Sequence, residues 1–587
     1  MTSITNDRGD LWEDGATDRL AVLTGDLATV CWGTVADLLI FFCFAHLGVI
    51  VCFAAGWQVP WYVAPTALVC ALASGDYLGR REGITGRSRI VLFASALASL
   101  GVSLLLSATL FDMSWDGLWY HQTAIYQMSH GWNPLRDPMH NFTRSLQDYV
   151  RFYAKGPWYV SLALFRFSPH IEWAKPAPWV TMATMFLATL AALLDFRIRR
   201  RTALAIAALV ALNPVVVLEL PTFLVDGLLI SHLTCYVVAV ARCIRRPSPL
   251  VLAVGVAATI LCANAKFSGI VYLCFFGTAG GVYMLIHQHR MLLRYVAIHS
   301  AALLLATCVF GFNPYVTNTM RRGHPFYPWF GTAAYPSYAQ RGRDPNEMYE
   351  TPKNLVGRNR FVRFSYAMFG RPGVQPYYPG PNAQLMWPFA VRWSDFDIFY
   401  FPDVRIAGFG PLFSGAFLIS LVLLGVAIAR PGLSREILIL FIVTVAASLL
   451  VGLHLWWARY GPQLWWLPIM AIAAGLAVPG WRAVRWSAWG LAVLLLVNAV
   501  TLEARHFVWE WQATRTTYEQ MAFLRQKGEI EVDLQYFKEP YGERLRAAGV
   551  SFKESRTLHC AKPMELMSIT HGYPGVVRAC VPEQPPK

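Results

Sequence analysis

Charge is scarce in this chain. Of its 587 residues only 14% are charged and 56% are hydrophobic, whereas a soluble domain carries about 25% charged residues. An ordinary soluble enzyme, a disordered protein and a coiled coil are excluded, and a polytopic membrane protein remains. Cysteine is also sparse. There are eleven, nine of them in or at the edge of apolar segments, too few for a disulfide scaffold. Acidic residues are outnumbered by basic ones, 35 to 50, a net charge of +15. In a membrane protein the placement of that charge matters more than its sum, and no nucleic-acid partner follows from it. A P-loop, a paired-cysteine metal motif and a Gly-x-Ser-x-Gly elbow are all missing. No clear internal repeat is visible, which weighs against a secondary transporter. Met1 to Asp26 is polar and slightly acidic, so no signal peptide is expected.

A spanning helix needs about 20 apolar residues. Thirteen runs are read as spans: 31–55, 62–79, 89–110, 172–195, 202–219, 222–242, 249–263, 267–286, 294–312, 407–429, 435–454, 462–478 and 486–502. The run Pro157 to Phe167 is too short to cross and reads as a helix in or against the membrane surface. One set of short connections holds seventeen basic residues, from Arg80 to Arg485, while the opposite set holds only Lys266 and Arg459. The basic side is expected to be cytoplasmic. The expectation is an all-α polytopic protein of the plasma (inner) membrane with about 13 transmembrane helices. Residues 1–30 form a cytoplasmic tail and 31–502 the membrane domain, with long outer loops at 111–171 and 313–406. Residues 503–587 form a small α+β extracytoplasmic domain, with strands expected around Glu529–Leu534 and Val576–Val581. Cys560 and Cys580 are its only cysteines, and in an oxidising compartment they are disulfide candidates.

The mass on the outer side places the working part there. Asp116 lies about six residues past the third span, beside Trp115, Trp119 and Tyr120. The stretch Gly117 to Met128 reads as an interfacial helix. Asp116 is then either a general base with a raised pKa or the N-cap of that helix. Tyr120 at i+4 would share its face, with His121 offset further round. Glu219, Asp226, Lys266, Arg459 and Tyr460 also stand at outer span ends. Ionisable residues near membrane depth are costly and often functional; the bland alternative for Lys266 and Arg459 is snorkelling to the headgroups. The loop 313–406 has eleven basic and six acidic residues and includes Arg321, Arg322, His324, Tyr327, Tyr377 and Tyr378. Guanidinium and aromatic groups together suit sugars and phosphates, or a cover bound to anionic headgroups. His121, His130, His140 and His170 match no zinc spacing, so no cofactor is assigned and a divalent metal is left open.

The order of these motifs resembles the GT-C glycosyltransferases, on the branch that includes bacterial protein O-mannosyltransferases and the aminoarabinose transferase of lipid A. The matching pieces are Asp116 with Tyr120-His121, Lys155-Gly156-Pro157, Val225-Asp226, Lys266-Phe267-Ser268-Gly269, Gly323 to Pro328, and Arg459-Tyr460 with Pro462. The resemblance covers roughly residues 89 to 480. It implies a polyprenyl-phosphate-linked sugar donor, Asp116 as catalytic acid/base, inversion at the sugar carbon, and a glycan, lipid or protein acceptor among membrane lipids. Two departures stand out. The catalytic loop follows the third span rather than the first, and no Asp-Glu pair follows Asp116, Asp112 being the nearest second carboxylate.

On this reading Arg459 and Lys266 stabilise the leaving phosphate, with Arg321 and Arg322 in reserve. Glu219, Asp226, His324, Tyr327 and Tyr460 bind substrate. The competing readings are a flippase or transporter of a lipid-linked substrate and a non-catalytic assembly protein. A transporter would carry polar residues through mid-membrane, and the ionisable residues here read as lying at outer span ends.

Overall fold

A computed structural model of the chain describes residues 18–142, 146–168, 170–342, 351–373, 382–430, 435–452, 457–478, 480–568 and 576–581. Tyr377 and Tyr378 lie outside these residues. The helices follow the apolar runs, because a backbone with no water around it must satisfy its hydrogen bonds internally. They are α1 (Asp18–Ala55), α2 (Val63–Arg81), α3 (Gly86–Thr109), α4 (Gln122–Ser129), α5 (Gly156–Phe167), α6 (Ala177–Asp195), α7 (Arg200–Ala211) and α8 (Asp226–Arg245). There follow α9 (Pro249–Ala265), α10 (Phe267–His287), α11 (His289–Leu304), α12 (Phe413–Ala429), α13 (Arg435–Leu450), α14 (Trp466–Ala477) and α15 (Arg482–Arg525). Each of the thirteen runs carries one of these, while α4 and α5 belong to the first long loop. Seven helices, among the described residues, are long and apolar enough to cross a bilayer by length and composition. The chain is a multi-pass membrane protein.

Local chemistry sets the helix ends. Thr85 and Ser248 cap α3 and α9, their side chains accepting from Ser88 N and Val251 N. The run 202–219 is not one helix. It stops at Ala211, and Asn213 caps a new turn, Pro214–Leu218, that opens on proline. The run 222–242 becomes helical only at Asp226. The run 486–502 continues unbroken to Arg525, since no glycine or proline interrupts the sequence from Leu491 until Gly528. The sheet of the C-terminal unit begins beyond it. Strands β1 (Ile530–Asp533), β2 (Phe552–Glu554), β3 (Met564–Glu565) and β4 (Arg578–Cys580) pair in the order β2-β1-β4-β3. β1 and β2 are parallel, joined through α16 (Lys538–Ala547), and the other pairings are antiparallel. Cys560 is bridged to Cys580, with Cα atoms 5.8 Å apart.

Two expectations are corrected. The stretch 117–128 does not lie along an interface. Gln122, Thr123, Ala124 and Ile125 of α4 are fully buried, because α5 packs on one side and α16 on another, with Gln127 donating to Glu539 over 3.2 Å. Polar residues are also not confined to span ends. Asp37 and His46 on α1 and His232 on α8 are buried inside the bundle, where the long apolar runs around them hid single polar positions.

Candidate active site

Past α3 the chain is extended and is fastened by Asp112. One of its carboxylate oxygens accepts from Ser114 N and Oγ at 2.8 and 2.6 Å, and the other accepts from Phe223 N at 2.9 Å. Gly117 must be glycine here, since a Cβ would fall 1.9 Å from Asp112 Oδ2. Burial pushes the Asp112 carboxyl up to about 6, Glu172 adding to the effect and the bonds from Ser114 and Phe223 opposing it. Asp112 is a structural anchor for the turn that follows.

That turn carries Asp116. Its backbone is already helical, with φ −62° and ψ −38°, and its side chain makes no capping bond, so the N-cap alternative does not describe it. Instead Asp116 Oδ2 accepts from Arg459 Nη1 at 2.9 Å and from the Tyr120 hydroxyl at 3.3 Å. Arg459 sits on a short turn, Ala458–Tyr460, between α13 and α14. It also faces Asp403 Oδ2 at 3.4 Å and Asp226 Oδ2 at 4.0 Å. Lys266, between α9 and α10, holds Asp226 Oδ1 at 2.6 Å and lies 4.3 Å over the Tyr460 ring. Gly156 lets α5 approach this turn, since a Cβ there would meet Asn264 O at 2.8 Å.

The electrostatics follow from this geometry. Burial raises the Asp116 carboxyl, but Arg459 first, with Lys266 behind it, outweighs burial and holds it below the usual carboxylate range. This corrects the expected rise: aromatics do bury the group, and the cations decide the sign. Burial lowers Lys266 and Arg459, yet both end above their ordinary values because of the carboxylates facing them, Asp226 first for Lys266 and Asp403 first for Arg459.

Other expected residues fall elsewhere or serve differently. His121 does not bond Asp116; its Nδ1 accepts from Trp158 Nε1 at 2.7 Å. Burial pulls it down to about 4, so it is neutral. Glu219 accepts from Gly227 N at 2.7 Å, at the N-terminus of α8, where a carboxylate is favoured. That bond fixes Glu219 against the first turn of the helix that presents Asp226. Arg322 is stacked among Phe152, Tyr327 and Tyr335, 4.8–5.6 Å from their ring centres. Arg321 is exposed. His324 accepts from Phe326 N at 3.1 Å. Arg322 with Tyr327, and His324, thus serve the 313–406 loop itself, and among the described residues no hydrogen bond or ion pair joins them to Asp116 or Arg459.

Asp403 was not singled out from sequence. It accepts from Trp457 Nε1 at 2.5 Å and completes the ring of carboxylates around Arg459. Lys155, in one of the matching sequence pieces, is buried against the carbonyls of Arg151 and Tyr153, each 2.9 Å from Nζ. A second addition is the clamp on the C-terminal unit. Leu118, with Trp115 and Trp119, packs into the core of that unit with Ile530, Val532 and Phe537. Beside it Arg544 donates to Asp112 O at 2.8 Å and to Glu172 Oε1 at 3.0 Å. Among the described residues no group of three or more His, Cys, Asp or Glu is placed to hold a metal ion.

No protein-family model and no curated protein matches the chain. Among solved structures it is similar to the crystal structure of ArnT from Cupriavidus metallidurans in the apo state. The two share 14% identity over 79% of this chain and 85% of that one, with a TM-score of 0.42.

Proposed function

We propose that the chain is a membrane glycosyltransferase that moves a sugar from a polyprenyl-phosphate donor to a hydroxyl acceptor, which would be a glycan, a lipid or a protein. The observation that carries the reading is the Asp116–Arg459 pair, 2.9 Å long, with Lys266 and Asp226 beside it. It joins a carboxylate able to take a proton to a guanidinium able to take a phosphate. The acceptor oxygen attacks the sugar carbon as the bond to the phosphate oxygen breaks. The proton passes to Asp116, the polyprenyl phosphate leaves toward Arg459, and the configuration inverts. Free Asp116 is a weak base because Arg459 holds it ionised. A donor phosphate that draws Arg459 away would raise its basicity, so base strength would rise only with the donor in place. The Arg-rich connections at the other ends of the helices support an outer-face position for this site.

A transporter of lipid-linked substrates is the second reading, and buried Asp37 is the observation in its favour. Its carboxylate packs against Gly75, where a Cβ would fall 1.8 Å from Oδ1. Its neighbour Asp76 is paired with Arg80 and Arg89 and so does not extend Asp37 into a path.

Asp116→Asn decides between the two. The amide keeps the shape and the Tyr120 contact but cannot take the proton. The full chain in proteoliposomes is expected to fold, to bind the lipid donor and to lose transfer by at least about a hundredfold, the usual scale for a general base. Near-wild-type transfer at equal protein level would sink the reading.

A further inference from the structure

The end of α8 remote from Asp226 borders an open-sided cavity of about 240 Å³, lined by α8, α9, α11 and the end of α10. Tyr236, Val240, Val256 and Met284 are among its walls, and the lining is almost wholly apolar. The polar groups on it already have partners. The Tyr236 hydroxyl meets His299 Nδ1 at 3.0 Å, Tyr295 donates to Gly277 O at 2.8 Å, and Ser248 donates to Glu82 at 2.7 Å. Water there would lack the two to four partners it needs, and an empty void costs stability in proportion to its volume. The outer wall, α11, is thinly covered: Leu293 and Leu304 are 82% and 62% exposed. The cavity therefore stands beside the lipid phase. At its mouth is Arg294, exposed, with Arg290 one turn earlier and Arg245 and Arg246 at the end of α8. No acidic residue lines the cavity.

We propose that this cavity binds one acyl chain of an anionic phospholipid, whose phosphate rests on Arg294, in the leaflet opposite the Asp116 cluster. An apolar slot between helices with an unopposed guanidinium at its mouth selects for both halves of such a lipid. The site is separate from the cluster and stands whether or not the transferase reading holds.

The test uses the full chain, purified in mild detergent and washed free of loose lipid. It is then exposed to phosphatidylglycerol or phosphatidylcholine and read by native mass spectrometry and thermal unfolding. The wild type is expected to retain one phosphatidylglycerol in preference to phosphatidylcholine and to unfold at a higher temperature with it. Arg294→Glu should weaken phosphatidylglycerol retention at least tenfold and abolish the preference. Val256→Phe, which fills the slot, should lose the bound lipid and most of its thermal effect. Equal retention of the two lipids by the wild type, or equal phosphatidylglycerol retention by wild type and Arg294→Glu, would overturn the proposal. So would a polyprenyl phosphate as the lipid retained from the membrane. Should Val256→Phe fail to fold, the surface variant Arg294→Glu still decides.

Discussion

Arg459 Nη1 stands 2.9 Å from Asp116 Oδ2 across 343 positions of sequence. The pair does not stand alone. Asp226 and Asp403 also face the guanidinium, and Lys266 is spent on Asp226. Arg405 Nε lies 3.9 Å from Asp403, so three carboxylates meet three cations and the cluster is balanced. A phosphate arriving here would not meet a bare cationic patch. It would have to take Arg459 from a carboxylate, which links donor binding to the release of Asp116.

Arg459→Lys tests that link. Lysine keeps the charge but loses the planar fork, whose Nη1 faces Asp116 and Asp403 while its Nε faces Asp226. Donor turnover is expected to fall at least tenfold, against no more than twofold for Arg321→Lys, an exposed guanidinium in the 313–406 loop. Steady-state assays in proteoliposomes with equal protein inserted would measure it. Equal effects of the two substitutions would reduce Arg459 to a snorkelling anchor.

The pH dependence separates Asp116 from His121. Asp116 is held below the usual carboxylate range, so kcat/KM of the free enzyme should show no acid limb from it above about pH 4, the ordinary aspartate value. An inflection between pH 5 and 7 that disappears in Asp116→Asn would contradict this. His121 is pulled down to about 4 by burial, against about 6.5 in an unfolded chain. As pH falls through that window the unfolded chain binds a proton that the folded imidazole refuses. Stability is therefore lost as pH falls from about 6.5 to about 4. His121→Asn should flatten the slope of thermal stability over that window, whatever its effect on the absolute value.

The residues legible in the sequence were those whose charge stood out against an apolar background. Asp226, Lys266 and Arg459 each interrupt a span end, and Asp116 follows a span closely. The strands at β1 and β4 were legible from alternation. Asp403 was not, since the 313–406 loop mixes eleven basic with six acidic residues and no period marks which of them turns inward. Arg322 misled for the converse reason. The same loop supplies two of the three aromatic rings that hold it, Tyr327 and Tyr335. Glu172 and Lys175 lie at the start of an apolar run and were read as part of it; only the fold shows that Arg544, far down the chain, faces them.

The Cys560–Cys580 bridge closes a loop of separation 20 and ties β4 to the segment before β3. Loops of this size gain about 3 kcal/mol from closure. Cys560→Ser with Cys580→Ser is expected to lower the unfolding temperature of the C-terminal unit while leaving the membrane helices inserted. Limited proteolysis would report the difference, with cleavage appearing between residues 553 and 580 first. Free thiols at both positions in unreduced peptide mass spectra would remove the bridge from the account.

Arg544 tests whether the C-terminal unit positions the site. Its side chain is 3% exposed and reaches Glu172, whose own side chain is 9% exposed and also holds Lys175. Glu172 in turn accepts from Asp112 N, and Asp112 sets the turn that leads to Asp116. Arg544→Met strips one of two cations from a buried carboxylate and is expected to cost about 3 kcal/mol, the lower end for breaking a buried pair, because Lys175 remains. If the clamp also positions Asp116, kcat should fall while donor KM stays within about twofold, since no donor contact is assigned to Arg544. The double variant Arg544→Met with Glu172→Gln removes the stranded charge. Its loss of stability should be smaller than the sum of the single losses, a coupling that only residues in direct contact display. Strictly additive losses, with kcat unchanged in Arg544→Met, would leave the C-terminal unit as a cover that has no hold on the site.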